Sequence, residues 1–409
     1  MRTAVAVLAI AVGACSAEVS KLEPLQPPGP TQPGDCALSE VHFSAGLSIG
    51  TGYRGDPEPG PVATQDRVFL SRRLETENDH EIFSVDPRTG QETRITDDDE
   101  DDLILGAERE TFLQLKLGTP ASIVFRTSTF TIELGPADFS AYSFDFDGWR
   151  PHQLAYSRAA WTWNDEIIFW EGGSTQTLFK GDPLSTPTLG EEEVAWVARG
   201  PSSTEVYVWG PEGLRQITDD TAQDSAPVWS RGQLFWLSER SLMRYDRTTG
   251  AITKIHDGPC LAPSASDGRA VFACTTSTEY PPFMSHLFLF DGTSTREIPL
   301  LRAGGHVFAP RNQGSRVAWL EYDAAFDACN YRAGEVGSIA YIDLRTMKAP
   351  IEIARVASGC WCCDSYWPAP TLSFEGDLLA WSYGIDPARP EETRGATGYA
   401  WVESPTCPH

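Results

Sequence analysis

The chain has 409 residues, with 57 acidic and 32 basic side chains, so its formal net charge is −25 at pH 7. This acidic excess argues against binding to nucleic acid or to an anionic membrane surface, and it permits cationic partners or divalent metals. No long stretch of the mature sequence has a 3.6-residue apolar period, which argues against a helical fold.

Residues 1–14 have the layout of a secretory signal peptide, because an apolar run too short to span a bilayer stably precedes small residues. The sequence Val12-Gly13-Ala14-Cys15 resembles the bacterial lipobox, in which a signal peptidase cuts before a cysteine that carries lipid. The resemblance implies a lipid anchor on Cys15, and Ser16 favours the outer membrane. An ordinary signal peptide followed by an incidental cysteine is the alternative.

Residues 15–35 are predicted to form a Pro-rich tether, and residues 36–409 to form one folded body. The body begins with an apolar, β-prone segment, 41–49, that belongs to no repeat unit. We expect this segment to complete the last unit and to close a ring. Cys36 precedes the segment and Cys407 follows the last strand, so a Cys36–Cys407 disulfide is predicted to lock the closure.

A short, almost wholly apolar strand recurs about every 40 residues, a period typical of propellers and solenoids. Eight copies begin at Val68, Phe112, Gln153, Val194, Leu234, Val271, Val317 and Leu378. Each copy is followed by a second strand that often ends in Asp, then by a third, and a weaker strand precedes it. Two of the turns, Asp86 to Gly90 and Asp246 to Gly250, have closely similar sequences. Asp caps such a turn and Gly accepts its positive φ.

The apolar strands are continuous runs, which indicates that both faces of each strand are buried. The sequence therefore predicts an all-β fold, a single β-propeller of four-stranded blades. Eight blades are predicted, and seven are the alternative if the irregular second and third units merge. The repeat accounts for nearly the whole chain, and we expect a monomer.

The densest acidic run is Asp97 to Asp102, and a related loop, 217–225, lies at the same place in the repeat. Oxygen-rich loops suit Ca²⁺. The candidates for a metal site are Asp97, Asp99, Asp101, Asp219, Asp220 and Asp224. Neither loop has the Gly and Glu placement of an EF-hand, and a solvated charged loop is the commoner explanation. The sequence names no further cofactor.

Eight cysteines remain when Cys15 is set aside, an even number that suggests disulfides in a secreted protein. Cys260 and Cys274 fall opposite one another when residues are counted outward from the turn at Asp267, which predicts a disulfide. A further group of cysteines is interpreted as structural disulfides, whose connectivity the sequence leaves open. The alternative is a thiolate metal site or a redox pair. The group contains Cys329, Cys360, Cys362 and Cys363.

Two stretches, 94–102 and 214–240, resemble the repeats of TolB-type propellers. Those repeats have a Leu/Ile-Thr-Asp/Asn ending, a Pro-x-Trp-Ser-x-Asp-Gly turn and an apolar strand. Ile217-Thr218-Asp219 and Pro227-Val228-Trp229-Ser230 keep most of this pattern, and Asp267-Gly268 keeps the end of the turn. The resemblance implies a periplasmic or surface propeller that acts as an interaction platform.

Enzymatic interpretations have weaker support. Gly46 to Gly50 matches the G-x-S-x-G nucleophile elbow, but the Pro- and Gly-rich sequence after it cannot form the helix that this motif needs. The alternative function is a metal-assisted hydrolase or lyase at the channel mouth, where His152 and His306 could face the channel. The sequence favours a lipid-anchored, non-catalytic platform of the bacterial cell envelope that binds a protein or a glycan.

Overall fold

Antiparallel strands make up the fold in the computed structural model of the chain. The structure describes residues 41–43, 60–73, 79–137, 154–155, 158–261, 263–275, 284–323, 336–357, 371–384 and 396–402. Within these ranges there are 32 strands and no helix, so no described helix could cross a membrane. The strands form eight four-stranded blades, and the predicted all-β propeller is confirmed.

The first four blades each contain four consecutive strands. They are β2 (Val62–Ala63), β3 (Val68–Arg73), β4 (His80–Val85) and β5 (Glu92–Arg94); β6 (Asp102–Glu108), β7 (Thr111–Lys116), β8 (Ser122–Arg126) and β9 (Thr131–Pro136); β10 (Leu154–Ala155), β11 (Arg158–Trp163), β12 (Glu166–Glu171) and β13 (Ser174–Lys180); and β14 (Thr188–Leu189), β15 (Val194–Arg199), β16 (Thr204–Gly210) and β17 (Gly213–Gln216).

The next three blades have the same order, and the eighth takes its fourth strand, β1, from the N-terminal part of the chain. They are β18 (Asp224–Ser230), β19 (Gln233–Ser238), β20 (Ser241–Asp246) and β21 (Ala251–His256); β22 (Ser264–Ser266), β23 (Arg269–Cys274), β24 (His286–Phe290) and β25 (Thr295–Ile298); β26 (His306–Gln313), β27 (Arg316–Tyr322), β28 (Val336–Asp343) and β29 (Ile351–Ala357); and β30 (Leu372–Glu375), β31 (Leu378–Gly384), β32 (Ala396–Trp401) and β1 (Val41–Phe43).

The ring is closed by the N-terminal strand, as predicted. β1 pairs antiparallel with β32, and Val41 lies opposite Ala400. Blades 1 and 8 also share an apolar cluster, and the amide of Ala63 donates to Ser373 Oγ at 2.9 Å. Pairing of the two ends leaves the last blade with no missing strand. The rest of the predicted closing segment, 44–49, lies outside the described residues, as do Cys36 and Cys407.

The prediction for the third unit was wrong in one respect. The apolar segment at Gln153 was expected to be the second strand, but Leu154–Ala155 is the innermost strand, β10, and pairs with β11. The second strand is Arg158–Trp163, which is buried although it begins with a charged residue. Arg158 tolerates burial because its guanidinium donates to the carbonyl oxygen of Glu191 at 2.6 Å. The second and third blades remain separate sheets, which excludes the seven-bladed alternative.

Within the described strands, five blades place a tryptophan at the same position of their second strand. All five side chains are at most 1% exposed, and each packs in an apolar cluster shared with the preceding blade: Trp161, Trp196, Trp236, Trp319 and Trp381. One such side chain removes about 200 Å² from water, which contributes on the order of 5 kcal/mol. Packing between blades therefore rests largely on this repeated indole.

First strands of neighbouring blades contact one another around the ring, which places them at its centre. Because strands alternate in direction, the loops from β5 to β6, from β7 to β8 and from β17 to β18 all lie at one end of the ring. Asp102 is paired with Lys116, and Asp224 with Ser238, at this end. We call it the crossover face.

Candidate functional site

A buried threonine–aspartate pair occurs twice at the crossover face. Thr96 Oγ1 accepts a hydrogen bond from the amide of Ile82 at 2.8 Å, and Thr218 Oγ1 accepts one from the amide of Val206 at 2.9 Å. Each hydroxyl also hydrogen-bonds to the carboxylate six residues later, Asp102 or Asp224. The pair therefore joins the third strand of one blade to the first strand of the next.

Both aspartates are almost fully buried and are hard to ionise. Burial, the largest influence, raises the pKa of Asp102 to about 6, although hydrogen bonds from Thr96 and Gln114 oppose it. Burial likewise raises the pKa of Asp224 to about 6, against hydrogen bonds from Thr218, Ser238 and Trp236. One carboxylate oxygen of each, Oδ2, has no hydrogen-bond partner among the described residues.

A buried glutamate lies beside each pair. Glu81 precedes Ile82 and accepts hydrogen bonds from Arg94 at 2.7 Å and from the amide of Asp98 at 3.1 Å. Glu205 occupies the same place in blade 4 and accepts a hydrogen bond from Ser203. Neither glutamate was singled out by the sequence, where each is one acidic residue among 57. Their burial depends on the loop that folds over them.

The loop between β5 and β6 forms an acidic cleft of about 560 Å³. Six carboxylates and one guanidinium line it, together with Leu117: Asp79, Asp97, Asp98, Asp99, Glu100, Asp101 and Arg94. Beneath the loop, Lys116 Nζ lies 2.8 Å from Asp98 Oδ2 and 2.9 Å from Glu100 Oε2. These two hydrogen bonds raise the pKa of Lys116 despite some burial, so Lys116 stays charged. The predicted candidates Asp97, Asp99 and Asp101 therefore share one cleft.

A histidine borders this cleft. Both the backbone amide and the ring Nδ1 of His80 lie within hydrogen-bond distance of Asp101 Oδ1, at 2.7 and 2.9 Å. Asp101 is thus held toward blade 1, whereas Asp97 is 82% exposed at the rim beside Arg94.

The second acidic loop has the same backbone turn and a different charge balance. Asp98 Oδ1 accepts from the amide of Glu100, and Asp220 Oδ1 accepts from the amide of Ala222. Arg94 and Lys116 of the first loop correspond to Gln216 and Ser238 of the second, which are neutral. Asp219 and Asp220 are exposed, whereas Asp224 is buried and belongs to the pair described above.

The geometry of these loops bears on metal binding. Among the residues that the structure describes, only His256, Cys260 and Cys274 bring three candidate ligand atoms within 4.8 Å of one another. The six candidate aspartates do not bring three ligand atoms this close together. Asp224 already accepts a hydrogen bond from the indole of Trp236. A Ca²⁺ site in either loop stays a prediction, and it would need the exposed carboxylates to rearrange around the ion.

Cys260 and Cys274 are joined by a disulfide, as predicted, and they form an antiparallel bridge that is one residue out of the register of β22 and β23. His256 lies against it from blade 5, and burial lowers the pKa of this imidazole. The other predicted sites on cysteine lie outside the described residues: Cys15, Cys36, Cys329, Cys360, Cys362, Cys363 and Cys407. His152 also lies outside them, and His306 begins β26, the innermost strand of blade 7, at the crossover face.

No protein-family model matches the sequence, and no curated protein matches it. Solved structures match in fold. BamB from Moraxella catarrhalis is 11% identical, with a TM-score of 0.47 over 88% of this chain and 100% of that chain. An oligogalacturonate lyase from Vibrio parahaemolyticus is 10% identical, with a TM-score of 0.48 over 91% and 99%. A putative TolB from Agrobacterium tumefaciens is 12% identical, with a TM-score of 0.37 over 78% and 97%.

Some matching structures are much longer, and the chain spans only 36% of the tricorn protease. At these identities the likeness extends to the fold and no further. The sheet topology itself defines the class of protein, an eight-bladed β-propeller, and the TolB-type repeats imply a propeller.

Proposed function

We propose that this protein is a non-catalytic binding platform, anchored by lipid in the bacterial cell envelope, whose crossover face binds a protein or a glycan. The observation that carries the proposal is the acidic cleft, which six carboxylates and one guanidinium line and which keeps an acidic excess although Lys116 pairs with Asp98 and Glu100. A surface of one charge sign raises the local concentration of oppositely charged ligands and speeds their association. The face is therefore suited to a ligand that presents positive charge.

The charge of the cleft narrows the choice of partner. An anionic glycan would be repelled, whereas the Lys or Arg side chains of a protein segment would find several acceptors at once. The space of about 560 Å³ fits a few side chains and not a folded domain. A basic segment of an envelope protein is the partner that fits best, and an uncharged or cationic glycan is the second choice.

The proposed location rests on the sequence Val12 to Cys15. Lipidation of Cys15 would tether the propeller through residues 16–35 and leave it free to meet membrane-bound partners. Cys15→Ala is expected to move the protein from the membrane fraction to the soluble fraction. Recovery of a lipid-modified N-terminal peptide from wild-type protein would support the anchor, and membrane association of Cys15→Ala protein would contradict it.

Crosslinking in the native envelope tests the binding role. The cleft variant Asp97→Asn/Asp99→Asn/Glu100→Gln removes three charges, and Glu110→Gln/Glu133→Gln/Glu171→Gln removes three exposed charges elsewhere. We expect a partner that crosslinks to wild-type and control protein and is lost from the cleft variant. Equal capture by both variants would exclude the cleft, and capture of no partner would overturn the platform itself.

A metal-assisted hydrolase or lyase is the second candidate, and the His80–Asp101 contact beside the cleft is the observation that favours it. An imidazole oriented by a carboxylate is a common arrangement for a general base. This reading predicts activity on a glycan or ester panel that EDTA abolishes and His80→Gln reduces at least a hundredfold. Activity that survives both changes would exclude it.

A further inference from the structure

Two sulfur atoms and an imidazole meet at the boundary between blades 5 and 6. Sγ of Cys260, Sγ of Cys274 and a ring nitrogen of His256 all lie within 4.8 Å of one another. The sulfurs are buried, with 1% and 3% exposure of the two cysteines. Neither the acidic cleft nor the buried threonine–aspartate pairs use any of these groups.

A second imidazole lies on the same face of blade 6. Cys274 is the cross-strand partner of Cys260 on one side and of His286 on the other. Directly opposed residues of an antiparallel sheet point to the same face. Cys260, Cys274 and His286 therefore form a row that faces the end of β21, where His256 lies.

Both imidazole rings lie near the ring of Phe288. The ring of His256 lies 4.6 Å from the ring of Phe288, and the ring of His286 lies 6.1 Å from it. Nδ1 of His286 is 2.7 Å from Glu297 Oε1. A carboxylate at one ring nitrogen fixes the tautomer that leaves the other nitrogen able to bind a metal, an arrangement common around metal-bound histidine.

We propose that, when a dithiol reduces the Cys260–Cys274 disulfide, the two thiolates, His256 and His286 bind one Zn²⁺. The dithiol gives two electrons and two protons to the disulfide and becomes a disulfide itself. The two thiols then release their protons as Zn²⁺ binds, which leaves a neutral Cys₂His₂ site. Two soft sulfur ligands with two imidazoles favour Zn²⁺ over Ca²⁺ or Mg²⁺.

The movement that His256 requires is small. Tetrahedral zinc holds sulfur at about 2.3 Å and nitrogen at about 2.0 Å, so neighbouring ligand atoms lie about 3.5 to 3.8 Å apart. The sulfurs must separate by rotation of the cysteine side chains, and the imidazole of His256 must approach by at most about 1 Å. His286 is not among the atoms within 4.8 Å of one another, so its side chain must turn further toward the sulfurs. His286 has a 38% exposed side chain, so the metal can enter from its side of the sheet.

Zinc binding by the full-length chain tests this proposal. Protein reduced with a phosphine, which does not chelate the metal as a thiol does, is compared with untreated protein by equilibrium dialysis and metal analysis. Other cysteines can also bind zinc, so wild type is compared with Cys260→Ser/Cys274→Ser. We expect the double variant to bind one equivalent less after reduction, and Co²⁺ in wild type to show a thiolate charge-transfer band that the variant lacks or shows more weakly.

If the serine variant fails to fold, His256→Phe tests zinc binding at this site instead, because this variant keeps every thiol. We expect its zinc affinity at this site to fall at least tenfold, whereas His306→Phe leaves it unchanged. Equal zinc content of reduced wild type and the serine variant, or unchanged affinity in His256→Phe, would overturn the proposal.

Discussion

The indole N–H of Trp236 donates a hydrogen bond to the buried carboxylate of Asp224, with 3.1 Å between Nε1 and Oδ1. Trp236 packs against blade 4, and Asp224 is held by Thr218 at the end of blade 4. The hydrogen bond thus connects the indole that packs between blades 4 and 5 to the loop that crosses between them. In blade 2 the same relationship joins Gln114 to Asp102, so the amide takes the place of the indole.

Asp224→Asn is expected to stabilise the protein at neutral pH. The folded state raises the pKa of Asp224 from 3.8 to about 6, so ionisation opposes folding. The contribution of the Asp224 side chain to the free energy of unfolding is fully present below about pH 4 and is lost as the pH rises through 6. A shift of this size corresponds to about 3 kcal/mol. Asn removes the charge and keeps a carbonyl acceptor for Trp236.

The measurement is the free energy of unfolding in urea at pH 7.5 and at pH 4. We expect Asp224→Asn to gain about 1 to 3 kcal/mol at pH 7.5 and little at pH 4. The exposed neighbour Asp220 is the matched control, and Asp220→Asn should change neither value by more than about 0.5 kcal/mol. A loss of stability in Asp224→Asn at pH 7.5 would show that the carboxylate is needed in its charged form.

Thr218→Val removes the hydroxyl that joins Val206 to Asp224. A valine of nearly the same shape leaves the buried amide of Val206 without its acceptor, which costs about 1 to 3 kcal/mol. Thr96→Val should cost a similar amount in the first copy of the pair, whereas Thr253→Val on the exposed outer strand β21 should be near neutral. Urea unfolding distinguishes these outcomes, and equal effects of Thr218→Val and Thr253→Val would contradict the role of the pair.

Gly398→Ala is expected to weaken the strand that closes the ring. A Cβ atom at Gly398 would lie 2.2 Å from Cε2 of Trp381, whose indole is fully buried. Gly398 is also the cross-strand partner of Phe43 in β1. Overpacking of this kind costs about 1 to 3 kcal/mol. A smaller partner should relieve it, so the cost in Gly398→Ala/Trp381→Leu should be less than the sum of the single changes. Simple additivity would contradict the contact.

Much of the architecture follows from local chemistry in the sequence. Asp86 and Asp246 each accept the amide two residues later at 2.9 Å, and Gly90 and Gly250 both have φ of 69°, as the turn sequences predict. The apolar runs predict blades because burial on both faces is a property of each strand. The one misplaced strand begins with Arg158, whose burial depends on carbonyl groups of the next blade.

The candidate site was less predictable because its properties arise between blades. The acidic loops are visible in the sequence, but the burial of Asp224 and the exposure of Asp219 depend on which residues the loop folds over. Glu81 and Glu205 have no local signal at all. His256 lies beside the disulfide through blade packing, and His286 is the strand partner of Cys274; neither relationship follows from spacing along the chain.

A Cys36–Cys407 disulfide is the last prediction, and the ring closure motivates it. The pairing of Val41 with Ala400 lies five residues after Cys36 and seven before Cys407. The two cysteines are 371 positions apart, so a crosslink between them would restrict the unfolded chain strongly and contribute about 5 kcal/mol. Peptide mapping without reduction should yield a peptide pair that contains both, and reduction should separate it.

Cys36→Ser/Cys407→Ser then tests the purpose of the crosslink. We expect the variant to keep the native fold, because β1 pairs with β32 through the backbone, but to unfold at lower urea concentration than wild type. Under reducing conditions the difference should vanish, since wild type then lacks the same bond. If the difference persists after reduction, the effect comes from lost side-chain packing and not from the crosslink.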